Sequence, residues 1–132
     1  MALWKYRNFI KLMKKYSVSI MLLFTSMVSA DVPPESRHEV EHLISFVSNT
    51  SCQIERNWIS HNGDEAITHI QQKYDYFRDD IKTTEQFIEY SATKSTMTGR
   101  DYLVKCTGHS PIKTRDWLVQ ELQKYRAQRK SM

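Results

Sequence analysis

The feature that most constrains this chain is its first thirty residues, which have the three parts of a secretory signal peptide in order. A basic stretch comes first and contains Lys5, Arg7, Lys11, Lys14 and Lys15. An apolar run from Val18 to Val28 follows, and Ser29-Ala30 supplies the small side chains that a signal peptidase recognises. This run is about half of the roughly 20 residues that a membrane-spanning helix needs. We therefore predict cleavage after Ala30 rather than retention as a membrane anchor.

Cleavage after Ala30 changes both the charge and the size of the chain. The full sequence has 19 basic and 15 acidic residues, but the predicted signal holds five of the basic ones and no acid. Residues 31–132 therefore carry 14 basic and 15 acidic side chains, a net charge of −1. Nucleic-acid binding, which relies on a net basic face, loses its main support. The 102 remaining residues are enough for a single small periplasmic domain, with its core at residues 35–126.

Residues 31–132 contain two cysteines, Cys52 and Cys106. The bacterial periplasm is oxidising, so a pair of cysteines in an exported domain typically forms a disulfide. A zinc site needs more ligands than these two residues supply, and there is no C-x-x-C spacing. We therefore predict a structural disulfide rather than a metal site or a catalytic thiol.

Four segments have the three- and four-residue spacing of apolar side chains that is typical of amphipathic helices. They are residues 35–48, 64–80, 83–92 and 114–125. Residues 52–56 and 102–106 instead alternate apolar and polar side chains, which predicts two short strands. The order α-β-α-α-β-α indicates a mainly helical α+β fold. We expect the strands to pair antiparallel as a two-stranded ribbon that is joined by the disulfide and packed on the helices.

The segment between the first strand and the second helix, residues 57–63, is predicted to be a loop. Asn62-Gly63 is the strongest turn signal in the chain, and Asp64 is the predicted N-cap of the following helix. Trp58 is unusual because it is an aromatic residue in a polar loop. It either anchors a peptide or glycan partner or folds back over the core, and the sequence leaves both alternatives open.

Two groups of histidines have spacings that occur in functional sites. His38 and His42 lie four residues apart on the first helix, as two metal ligands can, but we interpret them as part of a solvated helix face. His61 and His69 flank Asp64, and a histidine with a nearby carboxylate can act as a general base. For His69 we favour a hydrogen bond to a backbone carbonyl at the edge of the core. We predict no catalytic residue, no metal site and no cofactor.

A set of short motifs runs through almost all of residues 35–125. The most specific are Glu85-Gln86-Phe87-Ile88 and the S-x-x-T-G-x-x-Y run from Ser95 to Tyr102. The others are Glu41-His42-Leu43 to Phe46, Cys52, Arg56-Asn57, Glu65-Ala66, His69, Lys73-Tyr74, Tyr76 and Leu103 to Cys106. Together they resemble the YfeK-like family of small exported bacterial proteins of unknown function, also described as domain of unknown function 5329. The resemblance implies a small periplasmic domain and brings no known activity.

The resemblance also directs attention to the residues that follow the first strand. It places a glycine after the Arg56-Asn57 pair, where this chain has Trp58, so we expect the tight turn to move to Asn62-Gly63. Among the matching polar residues, we expect Arg56, His69 and Lys73 to converge near the junction of strand and helix. Such a group suits an anionic ligand or a partner carboxylate. The candidate binding residues are Arg56, Asn57, Trp58, His69 and Lys73.

Small size, a structural disulfide and the lack of a catalytic motif favour a non-catalytic binding or accessory protein of the cell envelope. Its expected partner is an envelope protein or an anionic ligand, with no nucleic acid and no stable membrane insertion after signal cleavage. Two alternatives remain at this point. One is a small envelope hydrolase that uses a His/carboxylate pair, and the other is a periplasmic enzyme inhibitor.

The export signal makes a direct prediction about the protein that cells accumulate. N-terminal sequencing of the protein recovered from periplasmic extract should begin at Asp31, because Val28-Ser29-Ala30 has the side chains that a signal peptidase recognises. Recovery of the exported protein with residues 1–30 still attached would contradict this boundary.

Overall fold

The structure, a computed structural model, describes residues 32–132, so the predicted export signal lies outside the described residues. Helix α1 (Pro34–Ser48) is followed by strands β1 (Gln53–Arg56) and β2 (Ile59–His61), helix α2 (Gly63–Tyr76), a 3-10 turn (Arg78–Asp80), helix α3 (Thr84–Ala92), strands β3 (Leu103–Lys105) and β4 (Ile112–Lys113), and helix α4 (Thr114–Lys130). The prediction of a mainly helical α+β fold is confirmed. Across residues 32–132, no helix is both long and apolar enough to cross a membrane.

The strands form a four-stranded antiparallel sheet in the order β2-β1-β3-β4. The two predicted strands are its central pair, with Ile54 opposite Val104. The predicted disulfide is confirmed, since Cys52 and Cys106 are bonded directly beside this pair. The prediction of a two-stranded ribbon missed β2 and β4. These edge strands have only three and two residues, too few for an alternating pattern to stand out in the sequence.

One face of the sheet packs against the helices and forms the core. Ile54 and Val104, at the centre of β1 and β3, are 4% and 1% exposed. The buried side chains that meet them come from all four helices and the segments between, including Val40, Leu43, Val47, Ile67, Ile70, Ile81, Phe87, Ile88, Leu118 and Leu122. Removal of this apolar surface from water is the main favourable contribution to folding. Since side chains alternate along a strand, Arg56 lies on the same face as Ile54 and points toward the helical layer.

The turn between β1 and β2 contradicts one expectation from the sequence. Asn57 and Trp58 have positive φ angles of 48° and 71° and form a two-residue connection, closed by the pairing of Arg56 with Ile59. Positive φ at both positions is what a type I′ hairpin turn requires, and asparagine followed by glycine is a preferred sequence for it. The prediction that the tight turn moves to Asn62-Gly63 is therefore wrong. The turn stays at Asn57-Trp58 even though a tryptophan occupies the glycine position.

Asn62 and Gly63 instead begin helix α2. The Asn62 side chain accepts a hydrogen bond from the Glu65 amide at 2.9 Å, and the Glu65 carboxylate accepts one from the Asn62 amide at 3.2 Å, which is a capping box. Asp64 is therefore not the N-cap, and its carboxylate accepts a hydrogen bond from the Ser48 hydroxyl. A Cβ atom at Gly63 would lie 2.4 Å from the Val47 carbonyl oxygen, so only glycine lets α2 start against the end of α1.

A network of charged groups joins α1, α3 and α4 through Glu39, Glu85 and Arg126. Arg126 Nε and Nη2 donate to the Glu39 carboxylate at 2.7 and 2.8 Å, and Nη1 donates to Glu85 at 2.6 Å. The Thr84 hydroxyl, which is fully buried, also donates to Glu39. The hydrogen bond from Arg126 lowers the pKa of the Glu39 carboxyl below its ordinary value. These contacts fix α4 beyond Tyr125, where the sequence pattern of the predicted helix ended.

Trp58 makes a prediction about stability, because a side chain at φ 71° is strained where glycine is not. Trp58→Gly relieves about 1–2 kcal/mol of backbone strain and loses the contact of the indole with Arg100, an attraction of about 0.5–1 kcal/mol. The free energy of unfolding should therefore rise by up to roughly 1 kcal/mol in urea titrations. Gly99→Ala is the matched control, since Gly99 also has φ 71° and a Cβ there has open space. The control variant should be less stable than the wild type. A Trp58→Gly protein that is less stable than the wild type contradicts this account of the turn.

Candidate functional site

Lys73, in the last turn of α2, is a buried cation without an acidic partner within residues 32–132. Its side chain is 9% exposed, its Nζ donates a hydrogen bond to the Lys94 carbonyl oxygen at 2.6 Å, and it lies 5.4 Å from the centre of the Tyr102 ring. None of the ion pairs within residues 32–132 involves Lys73. A lysine this deeply buried is normally paired with a carboxylate. Burial, followed by the charges of Arg56 and Lys94, lowers the pKa of the Lys73 ammonium below its ordinary value.

His69 lies one helical turn before Lys73 and contacts the same tyrosine. Its Nε2 is 3.1 Å from the Tyr102 hydroxyl, so the predicted hydrogen bond to a backbone carbonyl is replaced by one to a side chain. Burial is the main cause that lowers the pKa of His69 to about 4, with further contributions from the charges of Arg56 and Lys73. His69 is therefore neutral at pH 7. Burial also raises the pKa of the Tyr102 hydroxyl, which stays protonated.

These side chains surround a pocket of about 220 Å³ that opens to solvent. We call it the anion pocket, and its main lining residues are Arg56, Asn57, His69, Lys73, Ser95 and Tyr102, with Thr96 and Met97 at its rim. The structure thus brings together four of the five candidate binding residues that the sequence suggested. None of the lining residues is acidic, so the electrostatic potential in the pocket is positive.

Trp58, the fifth candidate, does not line the pocket. Its side chain is 71% exposed at the tip of the β1–β2 hairpin, and the guanidinium carbon of Arg100 lies 3.4 Å from its ring centre. Of the two alternatives that the sequence left open, folding back over the core is therefore excluded. A cation stacked on an exposed indole is a modest attraction of about 0.5–1 kcal/mol.

The fold explains why distant residues meet at the pocket. The β1–β3 pairing sets Arg56, at the end of β1, beside the start of β3, and Tyr102 lies two residues before Val104 and shares its face. Asn57 joins the hairpin to the loop of residues 95–99, because its Nδ2 donates to the Ser95 hydroxyl at 3.3 Å and its Oδ1 accepts from the Thr98 hydroxyl at 2.8 Å. Asn57 therefore positions the loop that closes one side of the pocket.

A smaller void of about 10 Å³ lies next to the anion pocket and shares Arg56, His69 and Tyr102 with it. Two of its lining residues have buried polar atoms without a hydrogen-bond partner in residues 32–132, the His61 Nε2 and the Thr114 hydroxyl. A void of this size holds about one water molecule. The void is thus largely apolar, with Ile54, Ala66 and Ile70 in its lining, and the His61 and Thr114 atoms are its unpartnered polar groups.

The other histidine pairs of the sequence have different surroundings. His42 Nε2 lies 2.7 Å from the Glu121 carboxylate, and its ring stacks on Tyr125 at 4.0 Å, so interpreting His42 as part of a solvated face is wrong. His61 Nδ1 is 3.5 Å from Glu65, not beside Asp64. Within the described part of the chain, no three histidine, cysteine, aspartate or glutamate side chains are grouped as metal ligands.

Ser95 and Tyr102 line the site, but sequence reasoning placed neither among the candidates, although both carried the family resemblance. Only Tyr102 had a further signal of its own in the sequence. The signal that could have found it is the strand alternation, which puts Tyr102, Val104 and Cys106 on one face. A tyrosine on the buried face of a strand needs a partner for its hydroxyl. His69 is that partner.

His69 makes a prediction about the pH dependence of stability. The pKa of His69 is about 4 in the folded protein and 6.5 in an unfolded chain. Between these two pH values the unfolded state therefore binds more protons than the folded state. The free energy of unfolding should therefore fall as the pH drops from 6.5 to 4. Urea titrations at several pH values should show a flatter dependence for His69→Gln. His109→Gln, which changes an exposed histidine, should keep the wild-type slope, and equal slopes for all three proteins would contradict the prediction.

Comparison with known proteins gives a family without a known activity. The family of unknown function DUF5329 matches residues 34–126. The uncharacterised protein YfeK of Salmonella typhimurium strain LT2 is 31% identical over 92 residues, which span 68% of this chain and 77% of that protein. No solved structure matches the chain. Because the match covers every element of the fold from α1 to most of α4, this chain belongs to the DUF5329 family.

Proposed function

We propose that this protein is a non-catalytic binding protein of the bacterial periplasm that holds an anionic group in the anion pocket. The observation that carries the proposal is the burial of Lys73 without a carboxylate partner. Removing an ammonium group from water is costly unless an opposite charge compensates for it. An anion bound from outside supplies that charge, so binding and the burial of Lys73 support each other.

The other groups in the pocket suit the same role. Arg56 has no acidic partner in residues 32–132, and its guanidinium can donate two parallel hydrogen bonds to a carboxylate or a phosphate. Asn57 and Ser95 add neutral polar groups. Burial is the largest cause of the lowered His69 pKa, and the charges of Arg56 and Lys73 add to it. A bound anion opposes this second, electrostatic contribution.

The arrangement favours binding over the hydrolase alternative. A hydrolase of the kind considered from the sequence needs a histidine that is paired with a carboxylate and faces the substrate. In the pocket His69 pairs with Tyr102. Two other histidines approach a carboxylate, His42 at Glu121 and His61 at Glu65, but none of these four residues lines the anion pocket. The periplasmic location is supported by the predicted signal at residues 1–30 and by the disulfide.

The proposal predicts that a simple anion stabilises the protein. Inorganic phosphate, added at constant ionic strength with chloride, should raise the Tm of the purified protein because it binds only the folded state. Arg56→Gln should lose most of this shift. Arg129→Gln, which removes one positive charge at the far end of α4, should keep it.

Equal shifts for the wild type and Arg56→Gln would contradict the proposal, since phosphate would then act elsewhere. The absence of any shift with phosphate and with acetate would contradict it as well. Isothermal titration calorimetry with the same two variants gives a second measurement that does not depend on the stability of each protein.

A further inference from the structure

Lys73 lies between two depressions rather than at the end of one. A second groove of about 560 Å³ is lined by Lys73, Phe77, Tyr90 and Lys94, and it shares Lys73, Ser95 and Thr96 with the anion pocket. The two depressions therefore adjoin along Lys73 and the start of the loop of residues 95–99. We call them together the long groove.

The far end of the long groove is aromatic. Phe77 and Tyr90 have ring centres 5.4 Å apart, and Tyr76 packs edge-on against Phe77 at 4.8 Å. Tyr76 is 82% exposed and Tyr90 is 38% exposed, while Phe77 is partly buried and packs against the core. Clusters of exposed aromatic side chains beside a pocket are typical of the residues that contribute most to protein–protein binding.

The charge of the long groove is complementary to an acidic partner. Arg56, Lys73 and Lys94 line it. Glu89 is the acidic residue on its wall, and its carboxylate is already paired with Arg115 at 3.3 Å. A flat bilayer reaches cations that protrude from a surface. Lys73 is instead recessed in a concave groove, so the groove suits a polypeptide segment better than a membrane.

We propose that the long groove binds an extended segment of a partner protein, with an acidic side chain at Lys73 and an aromatic or aliphatic side chain against Phe77 and Tyr90. This inference rests on the proposed function for the anion pocket and adds the class of ligand. A segment that places an acidic side chain at Lys73 and an apolar side chain against Phe77 and Tyr90 uses both features of the groove at once.

The spacing of the two contacts follows from helix geometry. Lys73 is in the last turn of α2 and Phe77 is the C-cap residue that follows this helix. At 1.5 Å per residue, the Cα atoms of these two residues are about 6 Å apart along the helix axis. An extended chain rises about 3.3 Å per residue and presents every second side chain to the same face. The acidic and apolar side chains of the partner are therefore separated by one residue.

Panning a phage-displayed library of random heptapeptides on the immobilised full protein tests this motif. Enriched peptides should contain Asp or Glu separated by one residue from an aromatic or large aliphatic residue, in either order. A synthetic peptide of the enriched sequence should bind at least about fivefold more weakly to Tyr90→Ser than to the wild type in fluorescence anisotropy. Ile112→Ser, which changes an exposed apolar residue on β4 outside the groove, should leave the affinity unchanged.

The outcomes separate this inference from the proposed function. Phosphate binding that depends on Arg56, together with enriched peptides that lack an acid, overturns the inference and leaves the anion pocket in place. If the synthetic peptide binds Tyr90→Ser and the wild type with equal affinity, the proposed contact of its apolar side chain with Phe77 and Tyr90 is overturned. Binding to phosphatidylglycerol vesicles with no enriched peptide overturns the choice of a protein partner. If the wild-type protein binds neither phosphate nor any peptide from the library, both the inference and the proposed function are overturned.

Discussion

The antiparallel pairing of β1 with β3, closed by the Cys52–Cys106 disulfide, is the constraint on which the rest of the structure depends. It joins two segments that are 54 residues apart, and a bond across a loop of this length can stabilise a fold by about 4 kcal/mol in the chain-entropy model. Because β1 and β3 are short, they need both this link and the helical layer that covers one face. The same pairing carries Arg56 to the start of β3, where Tyr102 stands. The anion pocket is therefore a consequence of the register of the sheet.

Two features of the site are unfavourable for folding alone. Lys73 is buried without a carboxylate, and Trp58 occupies a position with φ 71° that suits glycine. Each costs stability by a different physical route, one through desolvation of a charge and the other through backbone strain. Strained and desolvated groups tend to cluster at binding sites. Asn57 directly precedes Trp58 in the hairpin turn, lines the pocket together with Lys73 and contacts the loop of residues 95–99. Asn57 is therefore the residue that connects the hairpin tip with the pocket.

Sequence reasoning succeeded where a signal repeats over many residues or where the cysteine count is informative. The periodic apolar residues predicted all four helices, and an even cysteine count in a chain with a predicted export signal predicted the disulfide. It failed where a single residue decides the geometry. Trp58 obscured the hairpin because the turn signal is a glycine that this chain lacks, and the five residues of β2 and β4 are too few to show a period. His42 looked solvated because its partners, Glu121 and Tyr125, come from the other end of the chain.

The sequence predicted that Arg56, His69 and Lys73 converge, but it did not predict the pocket itself. The family resemblance identifies residues, whereas the cavity between them depends on how the surrounding side chains pack.

The central claim is that Arg56 and Lys73 form one anion site with no acidic residue in its lining. Crystals soaked in selenate test this most directly, since the anomalous signal of selenium locates the anion without any assumption about the natural ligand. The account predicts a selenate ion within hydrogen-bond distance of the Lys73 ammonium and the Arg56 guanidinium. Selenate ions bound only at other surface cations, with the pocket occupied by water alone, would contradict it.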